Sequence, residues 1–140
     1  MFGMLEAMYQ LINTRLKGLY KWNVKTVNYT HPNNGFSDQL TNETDIFNVT
    51  AGSGWITYMR IEVTSDSTPC TVTWRLYVDG NGTPVAEDTL SPPSAGQYAK
   101  AEFMPVLVRY RNGFRLTAQQ TAGTGTVTVY SPQVIALEDL

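Results

Sequence analysis

The chain has 140 residues, a formal net charge of −2, and a composition that is 42% hydrophobic and only 16% charged. That is the length of one domain burying roughly two-thirds of its unfolded surface. The balance excludes a disordered tail and the strongly basic footprint of a nucleic-acid binder. One cysteine, Cys70, and one histidine, His31, exclude an intramolecular disulfide and a Cys/His metal framework.

Residues 4–22 read as an amphipathic helix. Leu5, Met8, Ile12, Leu16 and Leu19 recur at spacings of three and four and form one apolar stripe. Met4, Leu11 and Tyr20 widen it, and Glu6, Gln10, Asn13, Arg15, Lys17 and Lys21 occupy the polar side. The first residues lack the basic and apolar regions of a secretory signal. Glu6, Arg15 and Lys17 interrupt any membrane span. The expectation is a protein made and retained in a cytoplasm, without a membrane partner.

After Trp22 the pattern changes to that of strands. Residues 24–29 form a first candidate, followed by the turn cluster His31-Pro32-Asn33-Asn34-Gly35. Residues 36–44 are polar and give no clear assignment; residues 46–50 suggest a short strand. Two runs of period-two alternation then dominate. In residues 55–63, Trp55, Thr57, Met59, Ile61 and Val63 share one face, opposite Ile56, Tyr58, Arg60 and Glu62. In residues 70–78, Cys70, Val72, Trp74, Leu76 and Val78 lie opposite Thr71, Thr73, Arg75 and Tyr77.

Asp79-Gly80-Asn81-Gly82 ends the second run in a turn. Residues 97–103 make a weaker strand with Ala99, Ala101 and Phe103 inward. Residues 106–110 and 114–118 are expected to form a hairpin over Arg111-Asn112-Gly113. A three-residue loop pairs Tyr110 with Phe114, Val108 with Leu116 and Val106 with Ala118, keeping apolar residues on one face, with Gly113 left-handed. Residues 126–130 and 134–137 complete the set. The predicted fold is mainly β: an antiparallel β-sandwich or jelly roll of eight to ten strands (23–140) behind one N-terminal amphipathic α-helix acting as an arm (1–22).

The candidates for chemistry are weak. His31 stands alone beside a proline, and Cys70 sits on an apolar face as a small hydrophobe. Asp79-Gly80-Asn81-Gly82 resembles the opening of a calcium loop but lacks the closing glutamate. Glu43, Asp45, Glu62, Asp66, Glu87, Asp88 and Glu102 are scattered. The Asn-x-Thr triplets at Asn28, Asn42 and Asn48 read as chance matches in a threonine-rich chain. The expectation is a non-enzyme without cofactor, metal or nucleic acid.

Interface candidates are stronger. Tyr58, Tyr77, Tyr98 and Tyr130 fall on the polar faces of their strands, where they suit a protein partner or a sugar-stacking platform. In the predicted hairpin Arg109 and Arg115 face each other on the outer side; like charges there suggest an anionic partner, or else a solvated hairpin tip. The helix stripe packs on its own sandwich, on another copy, or into a neighbour, because an isolated helix of this length is marginal in water.

The run Gly52-Ser53-Gly54-Trp55-Ile56-Thr57-Tyr58-Met59-Arg60-Ile61, followed by Cys70-Thr71-Val72-Thr73-Trp74-Arg75-Leu76-Tyr77-Val78-Asp79-Gly80, resembles small virion structural proteins of tailed bacteriophages. The resemblance covers residues 50–130 and marks strands and a turn, so it carries over no site residues. It implies a capsid decoration or cement protein docking at capsomer junctions in a virion assembled in the host cytoplasm. The implied partners are other copies, as a trimer or dimer, and the major capsid protein or neighbouring virion proteins. A neck, tail or fibre component, a carbohydrate-binding sandwich module and a small β-sandwich hydrolase are the alternatives.

Overall fold

The computed structural model describes residues 3–11, 24–103 and 107–139. Residues 3–11 are helical. Ten strands follow: β1 (Val24–Thr30), β2 (Gly35–Asp38), β3 (Thr44–Val49), β4 (Gly54–Ser65), β5 (Thr71–Val78), β6 (Ala86–Leu90), β7 (Ala99–Phe103), β8 (Val108–Tyr110), β9 (Phe114–Ala122) and β10 (Val127–Asp139). They form two antiparallel sheets. One runs β1-β10-β4-β7, with β2 also on β10 and β8 also on β4; the other runs β3-β9-β5-β6.

The order has a simple logic. β1 and β2 share one side of β10, and β7 and β8 share one side of β4, so each pair fills a single position. Of the eight positions, the first then pairs the eighth (β1 with β10), the second the seventh (β3 with β9), the third the sixth (β4 with β7) and the fourth the fifth (β5 with β6). Nested pairing of this kind is a long antiparallel hairpin rolled into two sheets, the jelly roll. The mainly-β sandwich expected from alternation is the fold observed.

The core lies between the sheets. Ile56, Ile61 and Val63 from β4, Val72 and Leu76 from β5, Leu116 from β9, and Val129 and Val134 from β10 are fully buried. Each fully buried aliphatic side chain of this size contributes about 1.5–3 kcal/mol of transfer free energy. Cys70 is buried at the start of the β5 apolar face, as its alternation indicates.

Three sequence expectations are corrected. The first concerns β4. Its register against β10 shifts between Ile135 and Ala136, which pair with Tyr58 and Ile56. Thr57 is the extra residue of a β-bulge, and a bulge reverses which side successive residues face. Below it Met59, Ile61 and Val63 point inward as expected, but beyond it Ile56 is buried and Trp55 is 42% exposed.

The second concerns residues 126–137. They belong to one strand, β10, whose register shifts between Tyr130 and Gln133. Ser131 there has a positive φ of 43°. The bulge moves the inward face from Val127 and Val129 to Val134 and Ala136.

The third is the predicted hairpin. β8 pairs with β4 and β9 pairs with β3 and β5, so the two strands lie in different sheets. Burial still unites their ends: the rings of Tyr110 and Phe114 meet edge-to-face at 5.2 Å across the core. A face-to-face contact between sheets satisfies the same apolar pattern as a pair within one sheet, so burial alone does not separate the two. Gly113 is left-handed, φ 77°, as anticipated. A Cβ there would stand 2.0 Å from the carbonyl oxygen of Val49, so only glycine fits the crossing.

Candidate partner-binding surface

Three regions carry the interface candidates: the N-terminal helix and the outward faces of the two sheets. On the helix, Leu5 is 62% exposed and Met8 54%, and Met4 and Leu11 beside them are equally open. Every residue from 3 to 11 is exposed, so none of this part of the stripe packs against the described sandwich. Ile12, Leu16 and Leu19 lie outside the described residues.

The outward face of the six-stranded sheet carries Tyr58, Tyr98, Tyr130, Trp55 and Arg109. Tyr98 and Tyr130 meet edge-to-face with ring centres 5.2 Å apart, and both remain exposed. Tyr130 beside it pushes the Tyr98 phenol above its ordinary range. Tyr130 pairs with Glu62, and Glu62 with Lys100 on the next strand, so a mixed-charge row runs beside the aromatic pair. Tyr58 donates to Glu102 at 2.7 Å, which raises the phenol and, with Lys100, lowers the carboxyl. Arg60 pairs with Glu62 at 2.6 Å. At the far end the Arg109 guanidinium lies 5.5 Å from the centre of the Trp55 ring and bonds Asp139 at 2.8 Å.

The four-stranded sheet is different outside. Tyr77 points outward but is only 6% exposed, because Arg115 covers its ring at 4.6 Å and its hydroxyl donates to Glu43 at 2.6 Å. Thr117 donates to the same carboxylate at 2.6 Å, and Arg75 stands 3.7 Å from it. Burial works to raise Glu43, but the bonds from Thr117 and Tyr77 and the charge of Arg75 outweigh it and hold the carboxyl below its ordinary value. Arg75 continues the lattice to Glu87 and Gln119.

Two expectations about these residues are therefore corrected. Tyr77 is an interior member of a side-chain lattice, not an open anchor, and it lies on the opposite sheet from Tyr58, so the tyrosines form no common stacking platform. Arg109 and Arg115 do not oppose each other. They sit on different sheets, each over its own aromatic ring, with Asp139 and Asp45 as their respective counter-ions. The like-charge argument depended on a hairpin that does not form.

Asp79 and His31 both take part in turns. Asp79 has a positive φ of 61°, and its carboxylate accepts the backbone N–H groups of Arg111 at 2.6 Å and Asn112 at 2.7 Å. Those bonds lower its carboxyl and tie the β5–β6 turn to the β8–β9 crossing. His31 closes a turn through its carbonyl and lies against Phe36. Among the described residues no cluster of three or more His, Cys, Asp or Glu side chains could hold a metal ion. No described helix is long and apolar enough to cross a membrane.

Trp55 is the exposed aromatic that alternation misplaced, since nothing in the sequence marks the bulge at Thr57. The Glu43 lattice was also hidden, because Glu43, Tyr77 and Thr117 are distant in sequence and meet only through strand pairing.

No protein-family model matches the chain, and no curated protein sequence is similar to it. Solved structures do share its fold. The VP2 subviral particle of infectious bursal disease virus superposes with a TM-score of 0.54 and 11% identity, over 83% of this chain and 33% of that one. The chain thus spans about a third of the VP2 chain. Eiger TNF from S. frugiperda matches at 0.50 and 12% identity, over 84% of this chain and 92% of that one. A subunit of the disulfide-linked Bacillus endospore appendages is looser, at 0.49 and 16% identity over 84% and 92%. At such identities the likeness is one of fold alone, and the sandwich is of a kind found both in the VP2 subviral particle and in a TNF.

Proposed function

We propose that this chain is a non-enzymatic structural protein of a virion that acts through its contacts with other subunits, and that it decorates or cements a capsid. The observation that carries this reading is the helix. Residues 3–11 present Met4, Leu5, Met8 and Leu11 to solvent, all more than half exposed, although an isolated helix is marginal in water without a partner surface. The described sandwich does not supply one, so other copies of the chain do, as a dimer or trimer with the helices together at the symmetry axis. The outward face of the six-stranded sheet, with Tyr98, Tyr130, Trp55 and Arg109, then meets the neighbouring virion proteins. Tyrosine, tryptophan and arginine are the residue types that anchor such contacts. The jelly roll shared with a viral capsid protein supports the same reading. An interface of roughly 1,600 Å² is ordinary for this work.

Light scattering of the purified full chain tests the helix, and co-sedimentation with particles tests the docking. A discrete oligomer that binds particles, and that becomes monomeric when residues 1–22 are removed, is the expected result. A stable full-length monomer that never sediments with particles overturns the proposal.

A further inference from the structure

The structure holds a groove that the assembly role does not use. It lies at one end of the four-stranded sheet, between the end of β3, the β5–β6 turn and the β8–β9 crossing, and is an open groove of about 370 Å³. That volume is within the range of small-molecule sites. We propose that it binds a neutral, hydroxyl-rich ligand, a saccharide unit, through the carboxamides of Asn48, Asn81 and Asn112.

Three asparagines, one from each wall, line the groove. Their ties to the rest of the fold run through their backbones. Asn48 is held by its strand pairing with Arg115, the Asn81 N–H donates to the Val78 carbonyl at 3.1 Å, and the Asn112 N–H donates to Asp79 at 2.7 Å. All three residues are exposed, and among the described residues no hydrogen bond engages their carboxamides. A carboxamide presents a donor beside an acceptor, the combination that adjacent sugar hydroxyls require.

The walls are fixed in advance. Asp79 staples the β5–β6 turn to the crossing by two backbone N–H bonds, and its own N–H donates to the Gly113 carbonyl at 3.1 Å. The Gly113 N–H in turn donates to Gly52 at 2.8 Å. A site whose walls are held this way loses little freedom on binding.

Electrostatics select the ligand's charge. Arg115 is the cation of the groove, but it lies over Tyr77 and 3.6 Å from Asp45, with Glu43 bonded to the hydroxyl of the same ring. A phosphate or carboxylate would have to compete with both acids. The aromatic floor is also closed: Phe114 is 2% exposed and Tyr77 lies under Arg115. Recognition therefore proceeds by hydrogen bonds to sugar edges rather than by ring stacking, in a site distinct from the exposed tyrosines.

Nitrogen-15 correlation spectra of the full chain test this, titrated separately with glucose, galactose, mannose, N-acetylglucosamine and inorganic phosphate. With at least one sugar, shifts are expected at residues 48–50, 80–82 and 112–114 and at the three carboxamide side chains, saturating at about 1–10 mM as suits a small open hydrogen-bonding site. An Asn48→Ala/Asn112→Ala double variant, changed only at exposed side chains, should keep the wild-type melting temperature and bind at least tenfold more weakly; Asn81→Ala alone should show an intermediate loss. The proposal is overturned by no shift in these segments with any sugar, by binding of phosphate alone, or by undiminished binding in the double variant.

Discussion

The two outward faces of the sandwich carry the same residue types to opposite ends. Each has a tyrosine hydrogen-bonded to a glutamate and an arginine lying over an aromatic ring. On the four-stranded sheet these coincide on Tyr77, which Arg115 covers and Glu43 holds, so the face is closed by its own side chains. On the six-stranded sheet they are spread over Tyr58, Trp55 and Arg109, and the Tyr98–Tyr130 pair remains open. An outward aromatic is thus no measure of availability. What matters is whether the neighbouring strands supply groups that use it, and that depends on pairing.

This contrast can be broken at several points. The largest effect should come from Gly113→Ala, which forces a Cβ against the Val49 carbonyl at a positive φ. It should cost upward of about 2 kcal/mol in urea unfolding, because strain and steric conflict add. Tyr77→Ala should follow at about 2–3 kcal/mol, as a buried aromatic and its bond to Glu43 are lost together, with Tyr77→Phe nearer 1 kcal/mol. A Tyr77→Ala protein as stable as wild type would erase the distinction between the two faces.

Acid should also discriminate between them. The Glu43 carboxyl is held below its ordinary value of 4.5, so its contribution is complete above that value and is lost as pH falls through the lower native one. Urea midpoints measured from neutral pH down to about pH 3 should fall more steeply for wild type than for Glu43→Gln. Equal slopes would show that the lattice does not act through this charge. On the other face, a Tyr98→Ala/Tyr130→Ala variant should melt within about 2 °C of wild type, since exposed substitutions change stability little. It should nevertheless lose sedimentation with particles. Loss of stability without loss of docking would reverse the assignment of the two faces.

Much of this molecule was legible along the chain. The alternation of residues 70–78 places Cys70, Val72, Trp74, Leu76 and Val78 inside, all as observed. The turn at Asp79-Gly80 and the left-handed Gly113 follow from residue types that tolerate positive φ. Other features were not legible. Bulges at Thr57 and around Ser131 shift the inward parity without a signature of their own. Residues 36–44, which gave no pattern, contain most of the short strand β2 and Leu40, buried to 1% at a positive φ of 52°. A single buried residue among polar ones has no periodicity to detect. The groove was invisible because its asparagines come from three separate turns and strand ends.

Taken alone, the sequence determined the mainly-β class, the inward residues of the longest unbroken strand, the positions of the turns and an amphipathic N-terminal helix. Each of these depends on burial and backbone preference within a few residues. Tertiary structure decided which sheet each strand joins, and with it that Tyr110 meets Phe114 across the core, that Arg109 and Arg115 part company, and that Tyr77 is closed while Tyr98 and Tyr130 stay open. An apolar residue gains nearly the same free energy from a neighbour in its own sheet as from one in the facing sheet. Only the nested pairing of distant strands distinguishes the two.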